Sequence, residues 1–220
     1  MNGSKQQRMR LFLEQNYSTL SQVANDCGIN ESEILSLETA QCIPRHTYEM
    51  RQMVIFSCAG IDDALTENMG LTTTLYYHNS TKFWVENAIL LLKNMSLSEV
   101  ALIVKEDFAK QLHHVLGDIK TPGCQSFDQA WGYWIDGTWG KCLKYLSVDG
   151  LAKKELARYH IAEIMKQNPE TVNEQVKIQL TDAVKTYIAA SLDFDAYGMR
   201  HVLAKEAIEK FQLDIKIDKK

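Results

Sequence analysis

Apolar residues recur at intervals of three and four positions along most of the chain, the spacing that places them on one face of an α-helix. Ser96 and Glu99 have the spacing of a capping box, which marks the start of a helix. The alternation typical of strands is scarce, and residues 72–77 are the only β-favouring run. The pattern therefore predicts an all-α fold, with its clearest helices over residues 83–93, 97–116 and 171–192.

Residues 20–38 have the pattern of a helix-turn-helix. Small Ala24 allows two helices to cross closely, and Gly28 suits the turn between them. Asn30 and Glu33 have capping-box spacing at the start of the second helix, and the apolar residues that would fill the shared core are Ile29, Ile34 and Leu37. We therefore expect a helix-turn-helix-like module over residues 1–60, followed by a helical bundle body over residues 61–220.

The charge of this module disfavours nucleic acid as a partner. Residues 1–60 contain five cations and six acids, net -1, and the candidate second helix contains Glu31, Glu33 and Glu38 but no Lys or Arg. Most non-specific DNA affinity comes from cations that neutralise phosphates. Two uses of the module therefore stay open, packing or protein contact on one side and DNA binding on the other.

Composition restricts the class of protein further. The chain has 220 residues, is 45% hydrophobic and carries a net charge of -4, which is typical of a folded, soluble protein. Its apolar runs are far shorter than a bilayer span, and its first ten residues lack the apolar stretch of a signal peptide. Its five cysteines form no C-x-x-C pair. We expect a cytoplasmic protein with no membrane partner, no metal and no cofactor.

Residues 70–82 resemble the recognition region of tetracycline-repressor-type regulators. The shared feature is a Thr-Leu-Tyr-Tyr-His run followed by a lysine four residues after the histidine. The resemblance implies that Tyr76, Tyr77, His78 and Lys82 would contact DNA. The alternative is that this segment is a tyrosine-rich helix start that packs on the helical body.

The most unusual composition lies between residues 131 and 158. Three of the four tryptophans fall within nine residues beside three glycines, and residues 141–158 contain five cations and two acids. Aromatic walls and converging lysines can form a pocket for a small anionic or planar ligand. The alternative is that the tryptophans belong to the core and the lysines are solvated. The candidate ligand-binding residues are Trp131, Trp134, Asp136, Thr138, Trp139, Lys144, Lys154 and Glu155.

Part of this segment carries a second resemblance. The run Asp136-Gly-Thr-Trp139-Gly-Lys-Cys142-Leu-Lys144, with Lys154 and Glu155 after it, is similar to a family of uncharacterised bacterial proteins associated by label with natural-product biosynthesis. The resemblance implies a pathway context and brings no catalytic residues with it.

Motifs of common enzymes are missing from the sequence. It contains no G-x-S-x-G, no H-E-x-x-H and no glycine-rich phosphate loop, so we assign no catalytic residues. We expect a non-enzymatic binding or regulatory protein whose helical body senses a ligand or forms a homodimer. Two alternatives stay open, an accessory protein or enzyme of natural-product biosynthesis and a DNA-binding transcriptional repressor.

Overall fold

The fold was examined in a computed structural model, which describes residues 5–51, 54–57, 60–64, 73–192 and 202–215. Within these ranges the chain is mostly helical, as the periodicity predicts. None of the helices there has the length and apolar character needed to cross a bilayer. The α-helices are α1 (Lys5–Asn16), α2 (Leu20–Cys27), α3 (Glu31–Thr39), α4 (Thr81–Leu92), α5 (Leu97–Leu116), α6 (Phe127–Ile135), α7 (Val148–Met165), α8 (Glu174–Ala190) and α9 (Val202–Phe211).

An antiparallel sheet accompanies the helices, and the all-α prediction did not include it. Its strands are short: β1 is Tyr17–Thr19, β2 is Tyr48–Arg51, β3 is Val54–Ser57, β4 is Gly60–Ala64 and β5 is Thr74–His78. Strand β5 falls on the run that the sequence marked as β-favouring. Tyr17 of β1 pairs with His78 of β5, and Tyr48 of β2 pairs with Tyr76, so β5 lies between β1 and β2. The sheet order is β1-β5-β2-β3-β4.

A left-handed glycine joins α2 to α3. Gly28 has φ 65°, a conformation that glycine adopts without a steric penalty, and its amide ends α2 by donating to the Ala24 carbonyl. Asn30 and Glu33 form a capping box at the start of α3. Val23, Ala24, Ile34 and Leu37 are buried in one cluster with apolar residues of α4 and α5. These contacts fix the α2–α3 pair against the helical body.

A second cluster, rich in aromatic residues, lies between α5, α6 and α7. Phe108 of α5 contacts the rings of Trp131 and Trp134 at centroid distances of 5.4 and 5.3 Å. The ring of Trp84 on α4 meets Trp134 edge-on at 5.1 Å. Aromatic pairs in these geometries contribute beyond the area that they bury. This cluster supports the segment from which the sequence predicted a ligand site.

Candidate functional site

The three tryptophans of the predicted ligand site are core residues. Trp134 is fully buried, and Trp131 and Trp139 are less than a tenth exposed. The indole N–H of Trp139 donates to the carbonyl of Ala130 at 3.2 Å. This arrangement agrees with the alternative that the sequence left open, in which the tryptophans stabilise the fold.

Residues 136–146, here called the junction segment, hold distant parts of the chain together. A Cβ on Gly137, which has φ 81°, would lie 2.7 Å from the His46 carbonyl oxygen, so this approach requires glycine. The amide of Arg45 donates to the carbonyl of Ile135 just before the segment, and the Tyr17 hydroxyl donates to the carbonyl of Gly140 at 2.8 Å. The glycines of the motif therefore serve close backbone packing.

Asp136 and Thr138 form a local turn at the end of α6. One carboxylate oxygen of Asp136 accepts hydrogen bonds from the Thr138 amide at 2.9 Å and from its hydroxyl at 2.5 Å. Side chains of this kind commonly satisfy main-chain donors where a helix ends. Both residues are half-buried, and these hydrogen bonds explain why Asp and Thr stand at these positions.

Lys154 and Glu155 are neighbours on α7 with different buried partners. The Lys154 ammonium donates to the Cys142 carbonyl at 2.7 Å and lies 5.8 Å from the Tyr187 ring. Glu155 is 1% exposed, accepts hydrogen bonds from the Thr121 hydroxyl and the Gly123 amide, and has an ion pair with Arg158 at 3.6 Å. Both charges are used to tie α7 to neighbouring segments.

The predicted ligand-binding residues therefore comprise one exposed residue and seven that are buried or half-buried. Lys144 is the exposed member of the set, with its ammonium 5.9 Å from the centre of the Tyr145 ring. The other seven are buried or half-buried in the junction segment, in α6 and in α7. The excess positive charge of this region is also dispersed, because Lys153 has an ion pair with Asp149 at 2.7 Å and Arg158 has one with Glu155.

The segment that resembles a DNA recognition region forms β5 and the start of α4; its first residues, Gly70 to Thr72, lie outside the described residues. The prediction that residues 76–78 begin a helix is wrong, because they pair with β1 and β2. Tyr77 and His78 are buried, and Tyr76 is half-buried. Side chains in the interior do not reach the edge of a base. Lys82 is exposed on α4, 3.8 Å from Glu86.

A buried carboxylate on α3 makes a network that sequence reasoning missed. Glu38 accepts hydrogen bonds from the Tyr77 hydroxyl at 2.5 Å and from Arg45 Nε at 3.1 Å, and its Oε1 lies 3.1 Å from His46 Nδ1. Burial alone would raise the pKa of Glu38, but the hydrogen bonds from His46, Tyr77 and Arg45 outweigh it and lower the pKa. The signal in the sequence was the position of Glu38, four residues after Ile34 on the apolar face of α3.

An open concavity lies between the start of α4 and residues 145–147. This groove has a volume of about 450 Å³, and one of its walls is formed by residues 79–86 and the other by residues 145–147. Two large aromatic side chains, Phe83 and Tyr145, line it while remaining 58% and 65% exposed. The remaining lining residues are Asn79, Ser80, Lys82, Glu86, Leu146 and Ser147.

Hydrogen bonds connect the two walls of the groove. The Leu146 amide donates to the Ser80 hydroxyl at 3.3 Å, and the indole N–H of Trp84 donates to the Leu146 carbonyl at 2.8 Å. The first wall overlaps the end of the segment at residues 70–82, and the second wall directly follows the run that ends at Lys144. Periodicity could not reveal the groove, because its walls are distant in the sequence, as the 62 residues between Trp84 and Leu146 show.

A smaller concavity of about 280 Å³ lies between the end of α5 and the start of α6, with Cys124 in its lining. Burial, with a contribution from Glu155, raises the pKa of the Cys124 thiol to about 12. The thiol therefore stays protonated at neutral pH, a poor state for a nucleophile. Within the described part of the chain, no group of three or more His, Cys, Asp or Glu side chains could hold a metal ion.

Comparison with known proteins places the chain in a family. The family described as "Family of unknown function (DUF6058)" matches residues 104–215, which is half of the chain, and the chain belongs to this family. The matched residues include α6, the junction segment, α7 and α8. No match was found among curated proteins or among solved structures.

Proposed function

We propose that this DUF6058 protein is a non-enzymatic binding protein that holds a planar aromatic carboxylate in the groove between residues 79–86 and 145–147. The observation that carries the proposal is the exposure of Phe83 and Tyr145 on the lining of one concavity. Aromatic side chains that line a concave surface offer flat apolar faces to a ligand ring. A stacked ring would cover apolar surface that now contacts water.

A cation beside the groove favours a carboxylate on that ring. Lys144 does not line the groove, but its ammonium lies 5.9 Å from the centre of the Tyr145 ring, so a planar acid stacked on Tyr145 would have this cation nearby for its carboxylate. Among the described residues, Lys144 has no ion-pair partner. Lys82 lines the opposite wall, where its interaction with Glu86 at 3.8 Å is exposed and weak.

The test compares 2-naphthoate with the uncharged 2-naphthamide by isothermal titration calorimetry at pH 7.5. We expect 2-naphthoate to bind, and we expect Phe83→Ala or Tyr145→Ala to weaken its affinity about tenfold, the effect of losing roughly one stacking contact. Leu90→Ala is the matched control, because Leu90 lies on the same helix and is equally exposed but is outside the groove. Lys144→Met should reduce the preference for naphthoate over naphthamide.

Two results would contradict the proposal. One is the absence of 2-naphthoate binding at millimolar concentration. The other is binding whose affinity is the same in the wild type, Phe83→Ala and Tyr145→Ala proteins, since the ligand would then lie elsewhere.

We further propose that α2 and α3 act as a helix-turn-helix-like contact module for another protein. The exposed residues of α3 include Glu31, Glu33, Leu35 and Ser36, and the helix carries no cation. Such a face suits protein contact better than a phosphate backbone. An electrophoretic mobility shift with the DNA upstream of the protein's own gene, at low salt and micromolar protein, should show no complex; a specific complex would favour the repressor alternative.

The similarity to proteins associated by label with natural-product biosynthesis stays a proposal about pathway context. If a naphthoate binds, turnover can be checked by incubating it with the protein and analysing the mixture by mass spectrometry. Recovery of the ligand unchanged would favour binding over catalysis.

A further inference from the structure

We infer that His78 is a positioning residue that holds the two walls of the groove together, and that its protonation opens the groove and releases the ligand in acid. The inference rests on the proposed function, because it assigns a regulation to the same site. His78 itself does not line the groove; it acts through Ser80 on one wall and through the chain that leads to the other.

The imidazole of His78 connects a main-chain group of the first wall to one that lies just before the second wall. Its Nδ1 accepts a hydrogen bond from the Ser80 amide at 3.0 Å, and its Nε2 lies 3.0 Å from the Leu143 carbonyl oxygen. An amide can only donate and a carbonyl can only accept, so the ring must be neutral with its proton on Nε2. Ser80 lines the first wall, and Leu143 comes two residues before Tyr145 of the second wall.

Protonation would break the hydrogen bond from the Ser80 amide and leave the one from Nε2 to the Leu143 carbonyl in place. A proton on Nδ1 would face the Ser80 N–H, so two donors would oppose each other where one hydrogen bond existed. His78 is only 3% exposed, and a buried charge is stable only with a partner or in contact with water. The charged ring would therefore favour an arrangement in which the Ser80 wall moves away and water enters. The contacts of Leu146 with Ser80 and Trp84 join the same walls and would be lost next.

Among the residues that the structure describes, no carboxylate has an ion pair or hydrogen bond with His78. From β1, the Tyr17 ring lies 5.8 Å from the imidazole, and its hydroxyl already donates to the carbonyl of Gly140. From β2, the Tyr48 ring is covered by the Lys141 ammonium at 5.8 Å. Lys144 adds a second cation on the junction segment.

The elements at the groove add one more pair of charges. On α4 the ionisable groups are Lys82 and Glu86, which are exposed and 3.8 Å apart. Glu86 is the carboxylate among these groups, and Lys82 offsets its charge. Burial lowers the pKa of His78 to about 4, while its hydrogen bond to the Leu143 carbonyl acts in the opposite direction.

The sign of the pH effect follows from this pKa. An imidazole in water has an ordinary pKa of 6.5, so the opened form takes up a proton more readily than the closed form. Acid therefore favours the open form between pH 6.5 and about 4. At pH 5 the ratio of closed to open groove should fall about 20-fold relative to neutral pH.

The experiment follows Trp84 by ¹⁹F NMR in protein labelled with 5-fluorotryptophan and free of ligand. The Trp84→Phe variant assigns its resonance among the four tryptophans. Between pH 7.5 and 4.5 we expect the Trp84 resonance to titrate, with a smaller change at Trp134, whose ring contacts that of Trp84 at 5.1 Å, while the resonances of Trp131 and Trp139 do not change. His78→Asn keeps an oxygen that can accept from the Ser80 amide, and His78→Gln keeps a group that can donate to the Leu143 carbonyl. Neither side chain can be protonated in this range, so Trp84 should not titrate in either variant.

Three outcomes would overturn the inference. They are a wild-type Trp84 resonance that does not change while the protein stays folded, a change shared by all four tryptophans, and a titration that persists in His78→Asn. If both His78 variants fail to fold, the titration of Trp84 in the wild type still decides, since it requires no substitution of His78.

Ligand binding is then measured on the same samples. In the wild type, the affinity for 2-naphthoate should decrease as the pH is lowered from 7.5 to 5. In His78→Asn, the affinity should stay constant over the same range. If Trp84 titrates as expected but 2-naphthoate does not bind at pH 7.5, the proposed function is contradicted. The opening of the groove by protonation of His78 then still stands, and only its effect on ligand release is lost. If 2-naphthoate binds with the same affinity at pH 7.5 and pH 5, the inference fails and the proposed function stands.

Discussion

The ammonium of Lys154 lies 2.7 Å from the main-chain carbonyl oxygen of Cys142, and the Leu192 amide donates to the same oxygen at 3.0 Å. One carbonyl of the junction segment is thus shared by α7 and by the chain that follows α8. Lys154 is only 6% exposed, so its charge has left water for this contact and for the Tyr187 ring. Burying a charge in this way is favourable only when the new partners replace its hydration.

Replacing Lys154 by Met should therefore destabilise the fold by about 1 to 2 kcal/mol. Met retains the apolar stem and removes the ammonium, so the change isolates the charged hydrogen bond. Lys153→Met is the control, because Lys153 is exposed and its ion pair with Asp149 contributes little. The measurement is the free energy of unfolding in urea at pH 7. A Lys154→Met protein as stable as the wild type would show that the cost of burial cancels the contact.

The clearest helices could be predicted from the sequence because they carry local signals of their own. Ser96 caps α5 and Glu99 completes the capping box, as the spacing predicts. The strands lacked such signals: β1 has only three residues, and β2 has four. A strand of this length is stabilised by its neighbours in the sheet, and those neighbours are distant in the sequence. The pairing of Tyr17 with His78 is an example.

The predicted ligand site shows the limit of composition as a guide to function. Tryptophan, glycine and lysine in one segment fit a pocket and a packed junction equally well, and only burial separates the two. Trp134 is fully buried, and the Lys154 ammonium is bound to a carbonyl. The groove was missed for the opposite reason, since Phe83 and Tyr145 are ordinary residues until the fold brings them to one concavity.

Gly123→Ala should destabilise the protein by about 1 to 3 kcal/mol, a cost typical of overpacking. A Cβ at this position would lie 2.3 Å from Cη2 of Trp139 and 3.0 Å from Oε2 of Glu155, both held in the core. Gly132→Ala is the contrasting variant, because a Cβ there meets nothing within 4 Å and the position is inside α6. That change should stabilise the protein by about 0.5 to 1 kcal/mol. Thermal unfolding followed by circular dichroism checks both, and equal effects would contradict the packing described for Trp139.

Tyr77→Phe should cost about 1 to 3 kcal/mol, because it removes a hydrogen bond from a buried hydroxyl to the Glu38 carboxylate. Tyr76→Phe is a control on the same strand, at a half-buried position. Urea unfolding at pH 7 of both variants gives the comparison. We expect the Tyr76 variant to stay within about 0.5 kcal/mol of the wild type. Equal losses in the two proteins would mean that the Glu38 contact contributes nothing specific.

Glu38→Gln should change how stability depends on pH in acid. The pKa of Glu38 is lowered below its ordinary value of 4.5 in the folded protein, where burial is outweighed by the hydrogen bonds from His46, Tyr77 and Arg45. The unfolded chain therefore binds a proton at Glu38 more readily than the folded chain does. The stabilisation from the Glu38 charge is complete well above the ordinary pKa of 4.5, begins to decrease as the pH approaches that value, and is lost as the pH falls through the lowered pKa of the folded protein.

The free energy of unfolding of both proteins, measured in urea from pH 7 to pH 3, tests this directly. The wild type should exceed Glu38→Gln by a constant amount down to about one unit above the ordinary pKa of a glutamate, and the difference should shrink below that. The contribution of His78 to acid sensitivity is present in both proteins and cancels in the difference. A difference that does not vary with pH would show that the carboxylate in this network has the same pKa in the folded and unfolded chains.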